Sequence, residues 1–226
     1  MSKLNWWKYL TIGLMLYTLV GGILIKVPVN VGMLDQTIRN LFYHVPMWFS
    51  MFLLLLGSWV YSIKYLNTMK VEYHRWAYAL GVAGTLAGFS GIFTGMLWAS
   101  STWGTPWTRD PKLNGAAVGL LIYIAYWLLN RSITDPVKLR KIAAIYNIFV
   151  YPVFIALIWI IPKLSDFSIH PGSGDTVGFN EYDLNHNMRF VFYPAIIAWS
   201  MLFVWIASLK VRIDKIESEQ INKPIE

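Results

Sequence analysis

Six mainly apolar stretches separated by short polar connections run the length of the chain: Tyr9 to Ile25, Met47 to Leu66, Trp76 to Trp98, Leu113 to Asn130, Ile142 to Ile161 and Phe190 to Leu209. A bilayer core of roughly 30 Å needs about 20 helical residues, so each stretch has the length and composition to cross it. The pattern predicts an all-α integral membrane protein with six transmembrane helices, a single polytopic domain over residues 1–226. The fourth stretch is the shortest in its unbroken apolar part and borrows Leu113 and Asn114 at its start. No soluble domain, low-complexity stretch or internal repeat interrupts the series. Residues from about 210 to 226 are polar and mixed in charge, and are expected to be a cytoplasmic helical tail that frays.

Composition agrees with this class: 56% of the 226 residues are hydrophobic and only 14% are charged, a balance that a soluble surface rarely shows. The excess of 19 Lys and Arg over 12 Asp and Glu invites a nucleic-acid reading. The basic residues are nevertheless scattered singly between apolar runs and form no patch, which excludes one. Their placement speaks to orientation instead. Six of them, Lys26, Arg39, Arg109, Lys112, Lys163 and Arg189, fall on one side of the six-helix arrangement, and the other thirteen fall on the side of both termini. Cytoplasmic loops retain positive charge during insertion, so both termini are expected in the cytoplasm. Lys3 and Lys8 before the first apolar run resemble the layout of a signal peptide, but Lys26, Val27 and Pro28 follow Ile25 where a small-residue cleavage site would stand. A retained first helix is expected.

On this topology the connection from about residue 98 to 114 faces outward, as do Val27 to Pro46 and Pro162 to Arg189. The first of these reads WASSTWGTPWTRDPK and carries Trp98, Trp103 and Trp107, with Gly104 and Pro106 shaping a turn, followed by Arg109, Asp110, Pro111 and Lys112. Most of the other tryptophans suit an interfacial aromatic belt, whereas this cluster continues through the connection. It offers a shelf on which a large, flat, amphipathic ligand can stack, with Arg109 or Lys112 placed to meet its carboxylates. Asp110, flanked by both bases, is also read as a local salt bridge that organises the loop.

Two histidines share the side of the tryptophans. His44 lies in LFYHVPMW, where Pro46 suits a first helical turn and biases Val45 towards extended backbone, and His170 lies in SIHPGSGD. His186 is also on that side; His74 lies on the opposite one, beside Glu72 and Arg75. Paired imidazoles on one side of a membrane are read either as axial ligands of a haem iron or as two unrelated polar residues. A divalent metal site drawing on Asp166, His170, Asp175, Glu181, Asp183 and His186 matches no tight ligand spacing. With no cysteine, the chain cannot itself hold a haem through thioether bonds. In the third run Gly81, Gly84, Gly88, Gly91 and Gly95 fall on one helical stripe. The stripe is read as a tight helix contact, the alternative being a smooth groove for a flat ligand leading up to Trp98.

Trp98, Trp103, Gly104, Trp107, Asp110, Pro111 and Lys112 together resemble the tryptophan-rich WWD motif of the haem-handling proteins of cytochrome c biogenesis, the CcmC, CcmF and CcsA superfamily. Six helices and one outer histidine on each side of the motif, in HVP and HPG contexts, are similar to the CcmC branch, and the resemblance runs from the first helix to the sixth. It implies that the motif forms an outer-face platform for non-covalently held haem b, with His44 and His170 as the iron ligands. It further implies delivery of haem to a membrane-anchored haem chaperone, beside ATP-binding-cassette transporter subunits and a small single-helix subunit, in the bacterial cytoplasmic membrane. The task would be binding and handover rather than enzymatic catalysis. Arg109 stands directly before Asp110 where that family usually has tryptophan, and Pro106 where another aromatic is common, giving a thinner and more cationic shelf. An integral b-type cytochrome and a haem-independent transporter or assembly subunit are the readings from other functional classes.

Overall fold

The computed structural model describes residues 6–27, 35–165, 168–170 and 184–221. They form α1 (Trp6–Leu24), α2 (Leu41–Thr68), α3 (Val71–Trp103), α4 (Pro111–Ser132), α5 (Pro136–Ile155) and α6 (His186–Ile221). Helix α5 continues through a π-helical turn, Ala156–Ile160, into Ile161–Lys163, and a 3-10 helix, Asp35–Asn40, leads into α2. The described residues contain no strand. All six expected spans are present, and each is long and apolar enough to cross a membrane.

The helices overrun the apolar stretches, for identifiable reasons. At α3, the hydroxyls of Ser100, Ser101 and Thr102 donate to the carbonyls of Met96, Leu97 and Trp98 one turn back. Polar side chains satisfied within the helix do not interrupt it. The helix therefore runs on from Trp98 to Trp103, ending where Gly104 adopts φ +74°, a left-handed conformation that suits glycine. Trp103 is thus helical like Trp98, and only Trp107 of the three motif tryptophans lies in the connection. At α4 and α5 an Asp-Pro pair starts each helix. Asp110 accepts from the Lys112 N–H at 2.8 Å, and Asp135 accepts from the Val137 and Lys138 N–H groups at 2.8 and 3.1 Å. Helix α2 begins at Leu41, so Val45 is helical and Pro46 lies inside the helix rather than at its first position. That corrects the expectation of an extended Val45, because the preceding 3-10 helix feeds the chain directly into α2.

Helix α2 occupies the centre, packed on α3, α5 and α6; α1 leans on α6, and α4 joins α3 to α5. Lipid supplies no hydrophobic drive between helices, so close packing and interhelical hydrogen bonds must hold them. The glycine stripe serves that role. Cβ atoms added there would press on Tyr126 and Ser58 (Gly81), Leu55 (Gly84), Met51 and Leu120 (Gly88), Trp48 (Gly91) and His44 (Gly95). The stripe is therefore a helix contact filled by α2 and α4 side chains, and the third helix presents no smooth groove for a flat ligand along it. Asn147 adds polar ties deeper in the bundle, donating to Ser58 and Ser62 at 2.8 Å each, while Ser58 donates to the Ala77 carbonyl of α3 at 2.6 Å. A separate apolar cluster of Ile38, Phe42, Leu184, Met188 and Phe192 closes the end of the bundle that carries the motif, with Trp98 packed on it.

Candidate functional site

His44 projects from the first turn of α2 into the space left by Gly95 of α3, where a Cβ would fall 2.6 Å from its Cε1. Its Nδ1 lies 2.9 Å from the Gly91 carbonyl oxygen. A carbonyl only accepts, so Nδ1 carries the proton and Nε2 keeps its lone pair. The ring is flanked edge-on by Trp48 and Trp98, at centroid separations of 6.3 and 5.9 Å. Neighbouring polar contacts brace the same corner: Asn40 Nδ2 donates to the Thr94 carbonyl at 2.7 Å, and Trp98 Nε1 donates to Thr37 Oγ1 at 3.3 Å.

His170 is held by Asp110. The imidazole Nδ1 lies 3.2 Å from Asp110 Oδ1, within ion-pair range. The other carboxylate oxygen accepts from Ser168 Oγ at 2.8 Å and from the Ile169 N–H at 2.9 Å. Asp110 is 1% exposed. Burial pushes its carboxyl towards the neutral form, but His170, Ser168 and the Lys112 N–H outweigh that and hold it well below the usual carboxylate range. The His170 ring stands edge-on to Trp103 at 5.1 Å.

The two imidazoles lie against the same end of α3. Each is in edge contact with a different motif tryptophan. Trp107 is turned outward, with Nε1 donating to Asn114 Oδ1 at 3.3 Å, and Arg109 is exposed. Pro111 and Lys112 form the start of α4. Gly104 has nothing within 4 Å of where a Cβ would be, so its role is to turn the chain. The partners of Asp110 are thus the segment 168–170 and the α4 start, a wider role than a local salt bridge within its own loop. His74 lies at the other end of the bundle against Tyr65, and His186 is exposed against Phe190. Asp166, Asp175, Glu181 and Asp183 of the divalent-metal reading lie outside the described residues; among those described, no group of three or more His, Cys, Asp or Glu could hold a metal ion.

Sequence reasoning did not find Gly95 as the seat of His44, nor Ser168 as a brace of the second histidine. The first had a signal, since the glycine stripe ends at the level of His44; the second had none, because Asp110 and Ser168 are 58 residues apart.

An all-helical polytopic membrane protein with two imidazoles and two tryptophans gathered at one end of its bundle is the class that fold and site define. The chain belongs to the family described as CcmC, heme exporter protein C, whose model matches residues 1–225. It is 33% identical over 118 residues to the heme exporter protein C of Bradyrhizobium diazoefficiens, a match covering 50% of this chain and 43% of that protein. With the heme exporter protein C of Paracoccus denitrificans the identity is 24% over 106 residues, 44% of this chain and 42% of that one. A cytochrome c biogenesis protein CcsA from Thermosynechococcus vestitus is 38% identical over 58 residues, 26% of this chain and 18% of its own length. The chain thus spans less than half the length of the curated relatives it matches.

Proposed function

We propose that this protein handles haem for cytochrome c biogenesis, binding it at the motif end of the bundle with His44 and His170 as axial ligands and presenting it to a haem chaperone. The carrying observation is that Nδ1 of each ring is turned to an oxygen of the protein, 2.9 Å from the Gly91 carbonyl for His44 and 3.2 Å from the Asp110 carboxylate for His170. That second contact is the one which orients metal-binding imidazoles and makes their Nε2 more basic. Membership of the heme exporter protein C family supports the same reading.

In this reading haem is cargo, held non-covalently as haem b. Trp98 and Trp103 set the planes of the ligating rings, Trp107 supplies outward aromatic surface, and Arg109 and Lys112 meet the propionates. Gly104, Asp110 and Pro111 fold the connection that places them. The chain binds, orients and releases, without forming bonds itself. Both termini lie in the cytoplasm and the site lies on the outer face of a bacterial cytoplasmic membrane, next to ATP-binding-cassette subunits, a small single-helix subunit and the membrane-anchored chaperone.

The test is the absorption spectrum of the purified protein, oxidised and reduced. A bis-histidine spectrum is expected, weakened or lost in both His44→Ala and His170→Ala. Haem content and spectrum unchanged in both variants would overturn the ligand assignment, and reversible reduction coupled to quinol would favour an electron-transferring cytochrome.

A further inference from the structure

We propose that Asp110 is a positioning residue for His170: it holds the ligand histidine in place from behind, rather than touching the haem. This deepens the haem-binding reading of the site and rests on it. One carboxylate, 1% exposed, gathers three hydrogen-bond donors and the His170 ring from two parts of the chain. Oδ1 takes the Lys112 N–H at 2.8 Å and faces His170 Nδ1 at 3.2 Å; Oδ2 takes Ser168 Oγ at 2.8 Å and the Ile169 N–H at 2.9 Å. Ser168 Oγ in turn accepts from the His170 N–H at 3.3 Å, so the backbone and the ring of His170 are both referred to Asp110. The two carboxylate oxygens are occupied and buried, which leaves them no face for an iron or a propionate, and a propionate would repel them.

The arrangement makes the two histidines unequal. His44 grows from a helix and is seated by Gly95, so its position follows from α2–α3 packing. His170 is in no regular element, and its place depends on one side chain at the start of α4. The aspartate of the tryptophan motif thereby links the aromatic surface to the second ligand.

The test compares the full-length protein with Asp110→Asn and Ser168→Ala. Asparagine also caps helices well, so α4 is retained. Its NH2 group, however, must face either the Ser168 and Ile169 donors or the His170 and Lys112 donors, donor against donor. Ser168→Ala leaves the cap untouched and removes only the brace. In haem-free protein, hydrogen exchange of the Ile169 amide is expected to quicken by roughly tenfold or more in Asp110→Asn, and by less in Ser168→Ala, since a charge-assisted bond is lost. Unchanged exchange in Asp110→Asn overturns the positioning role whether or not haem binds.

In haem-loaded protein, Asp110→Asn should convert the spectrum to that of His170→Ala, added imidazole should restore six-coordination, and the double variant should match His170→Ala alone. A bis-histidine spectrum that persists in Asp110→Asn with lowered haem retention, additive with His170→Ala, would instead mean direct contact with haem and overturn the proposal. A wild-type protein without any histidine-ligated spectrum would sink the haem reading, while the exchange measurement would still decide what Asp110 does for His170.

Discussion

Gly95 of α3 and His44 of α2 share one volume: a Cβ on the glycine would lie 2.6 Å from Cε1 of the ring and 3.1 Å from Nδ1. Gly95→Ala must therefore turn the imidazole away from the Gly91 carbonyl that fixes its tautomer. On the haem reading, affinity should fall by roughly tenfold or more, the equivalent of about 1.4 kcal/mol or above, with the helices intact. Haem titration of Gly95→Ala beside Gly13→Ala, whose added Cβ meets nothing within 4 Å, checks it; equal affinities would show that the glycine is there for another reason.

Gly115 presents a harder limit. Its Cβ would fall 2.2 Å from the Leu157 carbonyl oxygen, a backbone atom in the π-helical turn of α5, which has no rotamer to escape into. Gly115→Ala is expected to destabilise the protein by about 1–3 kcal/mol or more, the cost of overpacking a filled core. Thermal unfolding in detergent reads it directly. A melting temperature within a degree of wild type would mean that α4 and α5 separate easily.

Asn147 tests whether the inner half of the bundle is independent of the site. It reaches Ser58 and Ser62 at 2.8 Å each and is fully buried. Interhelical hydrogen bonds in membranes average about 0.6 kcal/mol and reach about 1.7. Asn147→Ala should then lower stability by roughly 0.5–1.5 kcal/mol with no change in haem affinity. A haem-binding defect of the size seen for His44→Ala would show coupling along α2 that the geometry does not require.

Asp110 gives the stability a defined acid limit. Its carboxyl is held well below its ordinary value in the fold, and an unfolded aspartate titrates near about 3.9. A depressed carboxylate contributes stability that is present in full above the unfolded value and is lost as pH falls through it towards the folded one. The stability gap between wild type and Asp110→Asn should therefore shrink as pH falls from about 5 through about 4 and below. Unfolding midpoints across that range measure the gap; a gap that widened on acidification would reverse the sign and remove the carboxylate as its cause.

The spacing of apolar runs was enough to count the helices, because a bilayer sets one length scale for every span. The glycine stripe announced its contact in the same way, since five small residues on one face have a meaning that does not depend on the partner. What misled was the end of α3. Ser100, Ser101 and Thr102 look like a loop in a hydropathy pattern, yet each returns its hydroxyl to the helix, so Trp103 is helical as well as Trp98. The Asp-Pro pairs that start α4 and α5 carry an N-cap signal in the sequence alone, whereas the link from Asp110 to residues 168–170 does not.

The sequence by itself determined the number of spans, which the length and composition of the apolar runs carry, and the family resemblance, which the tryptophan motif and its two flanking histidines carry. Only the tertiary structure decided that Asp110 serves His170 while Gly91 and Gly95 seat His44. Both relationships join residues far apart in the chain through a few polar contacts or one missing Cβ, and contacts of that kind leave no periodic trace in either segment.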